Sequence, residues 1–275
     1  MALGTGAQAA TPWVEGHRGS RSTHPENTLP AFAHALSAGV DVLEMDTAVL
    51  KDGTVVVSHD PHVSPKICLA SPGIEPGVTL FKDLLWPQVE QIDCGSGPNP
   101  FFPKQKRFAG VSPPKLDDVF ELVRASGNTQ VRFNIETKIH PANPDWTVDA
   151  KTFAKQLYST VERSGFKDRV VIQSFDERTL IEMKNIDPSM TLSFLNASRF
   201  VDGCKKSQRL GAKILSPYWA LVTRRLVNDC HRRGLQVVPW TANTEQIWEQ
   251  LIQVGVDGII TDDPTALIQY IKLNK

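Results

Sequence analysis

From Leu116 onward, short apolar runs alternate with stretches of helical periodicity, and no other feature of the 275 residues narrows the fold as much. The runs are Val131 to Lys138, Val170 to Phe175, Thr191 to Asn196, Lys213 to Pro217, Leu235 to Thr241 and Gly258 to Asp262. Helical patterns fall at Leu116 to Ala125, about Val148 to Ser164, Asp176 to Asn185, Ser198 to Leu210, Leu221 to Arg233, Thr244 to Val254, and from Pro264 onward. Gly234 and Gly255 stop two of these helices, and Pro264 opens the last. Two strands come earlier, Trp13 to His17 and one from Val42 through Asp46. A helix opened by Pro25-Glu26-Asn27-Thr28 and stopped by Gly39 lies between them. Repeated βα units imply parallel strands. The strands number eight, which predicts a closed TIM (β/α)8 barrel, with an open doubly wound sheet as the alternative. The whole chain, 1–275, reads as one domain. Residues 61–114, rich in Pro and Gly and weakly periodic, read as a subdomain inserted after the second-strand hairpin.

That hairpin carries the first chemical signal. Glu44 and Asp46 alternate with Leu43 and Met45, so both carboxylates share one strand face, about 6.6 Å apart. Asp52-Gly53 predicts a two-residue turn. Folding back about it pairs Lys51 with Thr54, Leu50 with Val55, and finally Asp46 with His59.

In such a barrel the C-terminal strand ends carry the active site. Here they hold His17 and Arg18, Glu44 and Asp46, Glu136 and Lys138, Gln173, Trp240, and Thr261 with Asp262. Asn134, Glu136 and Lys138 share the face expected to point into the barrel, which brings a third carboxylate to the first two. Three oxygen donors without a nearby thiolate favour a hard divalent cation, Mg²⁺ or Ca²⁺. His17 and His59 are candidates for acid and base. The remaining five histidines read as structural, with His62 the nearest to an exception. Arg18 and Lys138 offer fixed positive charge to a phosphate-like group, and Trp240 offers an apolar wall.

Composition removes several function classes. Thirty basic and thirty acidic residues leave no net charge for a broad nucleic-acid face. No apolar run approaches the roughly 18 residues of a membrane span. Cys68, Cys94, Cys204 and Cys230 lack C-x-x-C spacing and read as free thiols, although Cys68 and Cys94 could pair in an exported protein. The N-terminus has no basic and apolar targeting pattern, so the chain as it stands reads as cytoplasmic. Ala7-Gln8-Ala9 resembles the end of a trimmed signal peptide, which would make it periplasmic or secreted.

Taken in order, G-H-R-G, P-E-N-T, L-E-M-D, K-D-G-T-V-V-V-S-H-D, N-I-E-T-K, Q-S-F, P-W-T-A-N and G-V-D-G-I-I-T-D-D-P resemble the glycerophosphodiester phosphodiesterases over most of the chain. The resemblance implies a TIM barrel with an insertion after the second histidine. It also implies metal-dependent hydrolysis of small-molecule glycerophosphodiesters to glycerol 3-phosphate and an alcohol. By position, Glu44, Asp46 and Glu136 would hold one divalent cation, Mg²⁺ or Ca²⁺. His17 and His59 would be the acid–base pair, with Arg18, Lys138 and Trp240 at the substrate. Glu26, Asn134 and Gln173 would support them, Glu26 by ordering the His17 loop. The rival reading is a phospholipase D-like barrel acting on lysophospholipids or sphingolipids.

Overall fold

A computed structural model describes residues 11–274. In chain order the first elements are β1 (Trp13–Gly16), α1 (Leu29–Ala38), β2 (Val42–Val49), β3 (Val55–Val57) and α2 (Trp86–Val89). The repeating units follow as α3 (Leu116–Ala125), β4 (Arg132–Thr137), α4 (Ala150–Ser164), β5 (Val170–Ser174), α5 (Glu177–Ile186), β6 (Thr191–Asn196) and α6 (Gly203–Arg209). The chain closes with β7 (Ile214–Pro217), α7 (Arg224–Arg232), β8 (Gln236–Val237), α8 (Glu245–Val254), β9 (Gly258–Thr261) and α9 (Pro264–Leu273).

Eight of these strands run parallel in the order β8-β7-β6-β5-β4-β2-β1-β9, and β3 lies antiparallel on β2. The seam between β8 and β9 is bridged by backbone bonds from Asp257 to Val237, Ile260 to Pro239 and Ala242 to Ile260, each 3.0 Å. The sheet is therefore a nearly closed TIM barrel. The strand expected over Leu235 to Thr241 shortens to two residues because Pro239 has no N–H to give the ladder.

Local chemistry explains the helix boundaries. Thr28, Asp149, Asp176, Thr223 and Thr244 each cap a helix by accepting from its first free N–H groups. All eight residues of β2 are buried, as expected for a strand covered on both faces. The main core lies between sheet and helices, where Phe120 meets Phe133 edge-on at 4.9 Å and Phe166 packs 5.3 Å from Phe133.

The hairpin departs from expectation by one residue. Its loop is three residues, Lys51 to Gly53. Gly53, at φ 85°, donates to Leu50 O at 3.0 Å, and Leu50 N donates to Thr54 O at 2.9 Å. Asp52 holds this form by accepting from the N–H groups of Thr54 (3.0 Å) and Trp86 (3.1 Å). The ladder therefore pairs Thr47 with Val57 and Val49 with Val55, and Asp46 O receives Ser58 N rather than facing His59.

Residues 61–114 contain only short elements and share a second core with the hairpin. Val63, Ile74, Phe81, Leu84, Val89 and Ile92 pack with Ala48, Leu50 and Val56. Burying each of the larger of these side chains contributes about 1.5–3 kcal/mol.

The cysteines correct the free-thiol expectation, in favour of the Cys68–Cys94 alternative and with a second pair that the sequence did not suggest. Cys68 bonds Cys94 within this small core, and Cys204 of α6 bonds Cys230 of α7, each over a separation of 26 residues. A spacing motif detects only thiols close in sequence. These pairs are brought together by packing.

Thiol titration of the denatured, unreduced protein should find none of the four cysteines reactive, and all four after reduction. Replacing Cys68 and Cys94 by serine should cost about 3.5 kcal/mol of unfolding free energy, the loop-closure value for a ring of this size. Free thiols before reduction would refute the pairing.

Candidate active site

The C-terminal strand ends surround a cavity of about 330 Å³ lined by His17, Arg18, Arg21, Glu44, His59, Glu136, Lys138, Gln173, Phe175 and Trp240, among others. The turn leaving β1 sets its geometry. A Cβ on Gly16 would lie 2.4 Å from Gly19 O, and one on Gly19 would lie 2.7 Å from the Ala31 carbonyl carbon, so G-H-R-G is required by close approach. Arg18 and Asn27 both adopt left-handed backbone, φ 50° and 56°, and Asn27 N donates to Arg18 O at 3.1 Å. Strain of this kind persists where surrounding contacts over-determine it.

Those contacts converge on buried charge. Arg18 donates its backbone N–H to Glu44 Oε2 (2.9 Å) and Nη1 to Glu26 Oε1 (2.6 Å), and its Nε lies 3.0 Å from Asp46 Oδ2. Asn27 Nδ2 donates to the same Asp46 oxygen at 2.9 Å. Just past β4, Lys138 Nζ lies 2.8 Å from Glu136 and 3.2 Å from Asp46. Gln173 Nε2 donates to Glu44 Oε1 at 2.8 Å. Oxygen atoms of Glu44, Asp46 and Glu136 all lie within 4.8 Å of one another, and all three residues are buried.

Burial and neighbours split the three acids. Burial would raise Asp46, but Lys138 and Arg18 overcome it and hold the carboxyl well below its ordinary range. Burial pushes Glu44 well up, and the Asp46 charge pushes it further. Burial raises Glu136 to about 7 against the opposing pull of Lys138. Fully ionised, the three acids would carry more negative charge than Lys138 and Arg18 offset, since Arg18 also pairs with Glu26. Three buried hard oxygen donors without a thiolate suit Mg²⁺ or Ca²⁺.

Each cavity histidine has its own carboxylate. His17 Nδ1 lies 2.5 Å from Asp262 Oδ1, and Asp262 is itself held by Asn243, which donates Nδ2 at 2.7 Å and accepts the Asp262 N–H at 2.9 Å. His59 Nδ1 lies 2.8 Å from Asp60 Oδ1. Burial lowers both imidazoles below their ordinary value, with Asp262 opposing at His17 and Asp46 opposing at His59. His59 still feels the Asp46 charge despite the shifted register, because it directly follows Ser58, whose N–H bonds Asp46 O.

The structure thus brings His17, Arg18, Glu44, Asp46, His59, Glu136, Lys138, Gln173 and Trp240 to one end of the barrel. Trp240 packs edge-on to Phe175 at 5.3 Å and donates Nε1 to Ser216 O. Glu26 lies just outside the cavity and holds Arg18 and Arg21, the latter through a 2.5 Å contact. Asn134 shares the inward face but lies off the cavity lining: its Nδ2 donates to Glu15 at 2.7 Å, one layer below. His62 also stands apart, 6.0 Å from the Trp146 ring. Sequence reasoning did not single out Arg21, Asn27, Asp60, Asn243 or Asp262 as partners. Four of them stand inside the strings P-E-N-T, V-S-H-D, W-T-A-N and I-T-D-D, where a polar residue beside each recognised one was the available signal.

A sequence model of the glycerophosphoryl diester phosphodiesterase family matches residues 17–266. A glycerophosphodiester phosphodiesterase of Caldanaerobacter subterraneus is 30% identical over 263 residues, covering 94% of this chain and 97% of the relative. A mouse lysophospholipase D is 27% identical over 276 residues, covering 93% of this chain and 80% of its own. Among solved structures, a Silicibacter pomeroyi protein assigned as a glycerophosphoryl diester phosphodiesterase superposes with a TM-score of 0.87. It is 27% identical, and 97% and 96% of the two chains are covered.

Because ionised Asp262 can only accept, the His17 proton belongs on Nδ1 and Nε2 faces the cavity bare. Long-range ¹H–¹⁵N spectra should show this tautomer at neutral pH, and Asp262→Asn should convert it to a mixture. A wild-type His17 protonated on Nε2 would overturn the assignment.

Proposed function

This chain belongs to the glycerophosphoryl diester phosphodiesterase family, and from that membership we propose that it hydrolyses glycerophosphodiesters to glycerol 3-phosphate and an alcohol with His17 and His59 as its acid–base pair. It is a phosphoric diester hydrolase. The observation that carries the finer reading is two imidazoles, each oriented by its own carboxylate, in one cavity with Arg18, Lys138 and a buried three-carboxylate cluster.

His17 is the base. Asp262 fixes its ring, burial keeps it neutral, and Nε2 takes the proton of the nucleophile. The nucleophile is water or the substrate's glycerol 2-hydroxyl, the latter giving a cyclic phosphate first. As its oxygen bonds to phosphorus, the bond from phosphorus to the alcohol oxygen breaks and His59 protonates that oxygen. His59 suits the acid role because Asp46 and Asp60 favour its protonated form against burial, and its side chain, 36% exposed against 11% for His17, can draw a proton from solvent. Arg18 and Lys138 offset charge on the phosphoryl oxygens. A divalent cation held by Glu44, Asp46 and Glu136 would supply Lewis-acid polarisation of a phosphoryl oxygen. Gln173 and the Arg18 backbone N–H orient Glu44 for that task. Phe175 and Trp240 wall the glycerol side. The two disulfides favour an oxidising compartment, periplasmic or extracellular.

Release of glycerol 3-phosphate from glycerophosphocholine should require Mg²⁺ or Ca²⁺ and cease in EDTA. His17→Ala and His59→Ala should each lower kcat/KM by roughly 10²–10⁴-fold, the usual worth of positioned acid–base groups. Glu136→Gln should weaken cation binding by calorimetry. Turnover of lysophosphatidylcholine but not glycerophosphocholine would replace this reading with the lysophospholipase D one, to which the mouse relative points. Activity with full magnitude in His17→Ala would sink the assigned base.

A further inference from the structure

We propose that the outer face of residues 99–110, with the tip of the loop after β6, is a docking surface for an anionic lipid membrane. The segment reads N-P-F-F-P-K-Q-K-R-F-A-G, with three cations and no acid in a chain whose thirty cations and thirty acids balance. Its cationic character is therefore local.

The segment is two-sided. Its inner side is fastened to the loop that leaves β1. Gln105 Nε2 donates to Arg21 O at 2.7 Å and His24 O at 2.6 Å, the Arg21 guanidinium lies 5.0 Å from the Phe102 ring, and Phe108 packs 5.4 Å from His24. Arg21 also lines the catalytic cavity, so the segment sits at its rim. The outer side presents Phe101, Lys104, Lys106 and Arg107 to solvent. Phe101 is 59% exposed, with Lys66 Nζ 5.2 Å from its ring centroid. Asp93, which precedes the segment, does not cancel these charges freely. Its carboxylate accepts from the N–H groups of Gly95, Ser96 and Gly110 and from the Ser96 hydroxyl, which ties the base of the segment.

A soluble acidic partner would need only the cations. An exposed phenylalanine among cations suits an anionic layer over an apolar one, because the ring enters the headgroup–acyl boundary while the cations meet the headgroups. A second such point stands on another strand-to-helix loop, and barrel topology puts all these loops at one end. Phe200 is 91% exposed, beside Arg199, whose guanidinium lies 5.8 Å from its ring. Docked on these two points, the cavity mouth would face the lipid headgroups.

The proposal does not depend on the assigned reaction, since its readout is partition rather than turnover. Full-length protein should co-sediment with vesicles of equimolar phosphatidylcholine and phosphatidylglycerol, and far less with pure phosphatidylcholine. Lys104→Glu/Lys106→Glu/Arg107→Glu should weaken the anionic partition by at least about tenfold. Phe101→Ser and Phe200→Ser should weaken it at high salt as well, where Coulomb attraction is screened. Lys213→Glu/Lys272→Glu, at the opposite end of the barrel, should leave it unchanged. Unaltered thermal unfolding would show that the exposed substitutions leave the fold intact. No partition to anionic vesicles, or equal loss in the opposite-end variant, would overturn the proposal. So would binding to soluble heparin as tight as to vesicles with no effect of either phenylalanine, which would assign the patch to a soluble polyanion.

Discussion

The arrangement depends on one carboxylate held ionised in a buried place. Asp46 has Arg18, Asn27 and Lys138 all within about 3 Å, the first two from the loop after β1 and the third from just past β4. Removing one partner from such a buried group leaves a charge unmatched, at a cost of several kcal/mol. The same contacts force Arg18 and Asn27 into left-handed backbone and oblige Gly19 to lie against α1. Loop shape, acid cluster and cation placement are thus one constraint seen from three sides.

Two devices with the same logic stand on either side of this centre. His17 leans on Asp262, and His59 leans on Asp60. They differ in what supports the carboxylate. Asp262 is locked by Asn243 and belongs to the barrel frame, whereas Asp60 directly precedes the weakly periodic residues 61–114. The less exposed imidazole is the one tied to the frame. The two imidazoles thus stand in surroundings of different wetness.

The barrel was legible in the sequence because parallel, doubly covered strands leave long apolar runs and regular helix punctuation. Glu44, Asp46 and Glu136 were legible because strand alternation determines which face they share. Three things were not. The hairpin register turned on Asp52 accepting from Trp86, a contact outside the turn and invisible to a dipeptide rule. The disulfides join thiols that only tertiary packing brings together. Asn134 shares the inward face as expected, yet Glu15 one layer lower claims its amide, and periodicity does not distinguish layers.

The hydrogen bond from His17 to Asp262 crosses the seam where the first strand meets the last. The imidazole is made early and its carboxylate some 245 residues later. During synthesis on the ribosome, a chain already carrying both histidines and all three acids would still lack the carboxylate that orients His17. That orientation arrives only with ring closure, when the last strand completes a contact begun by the first.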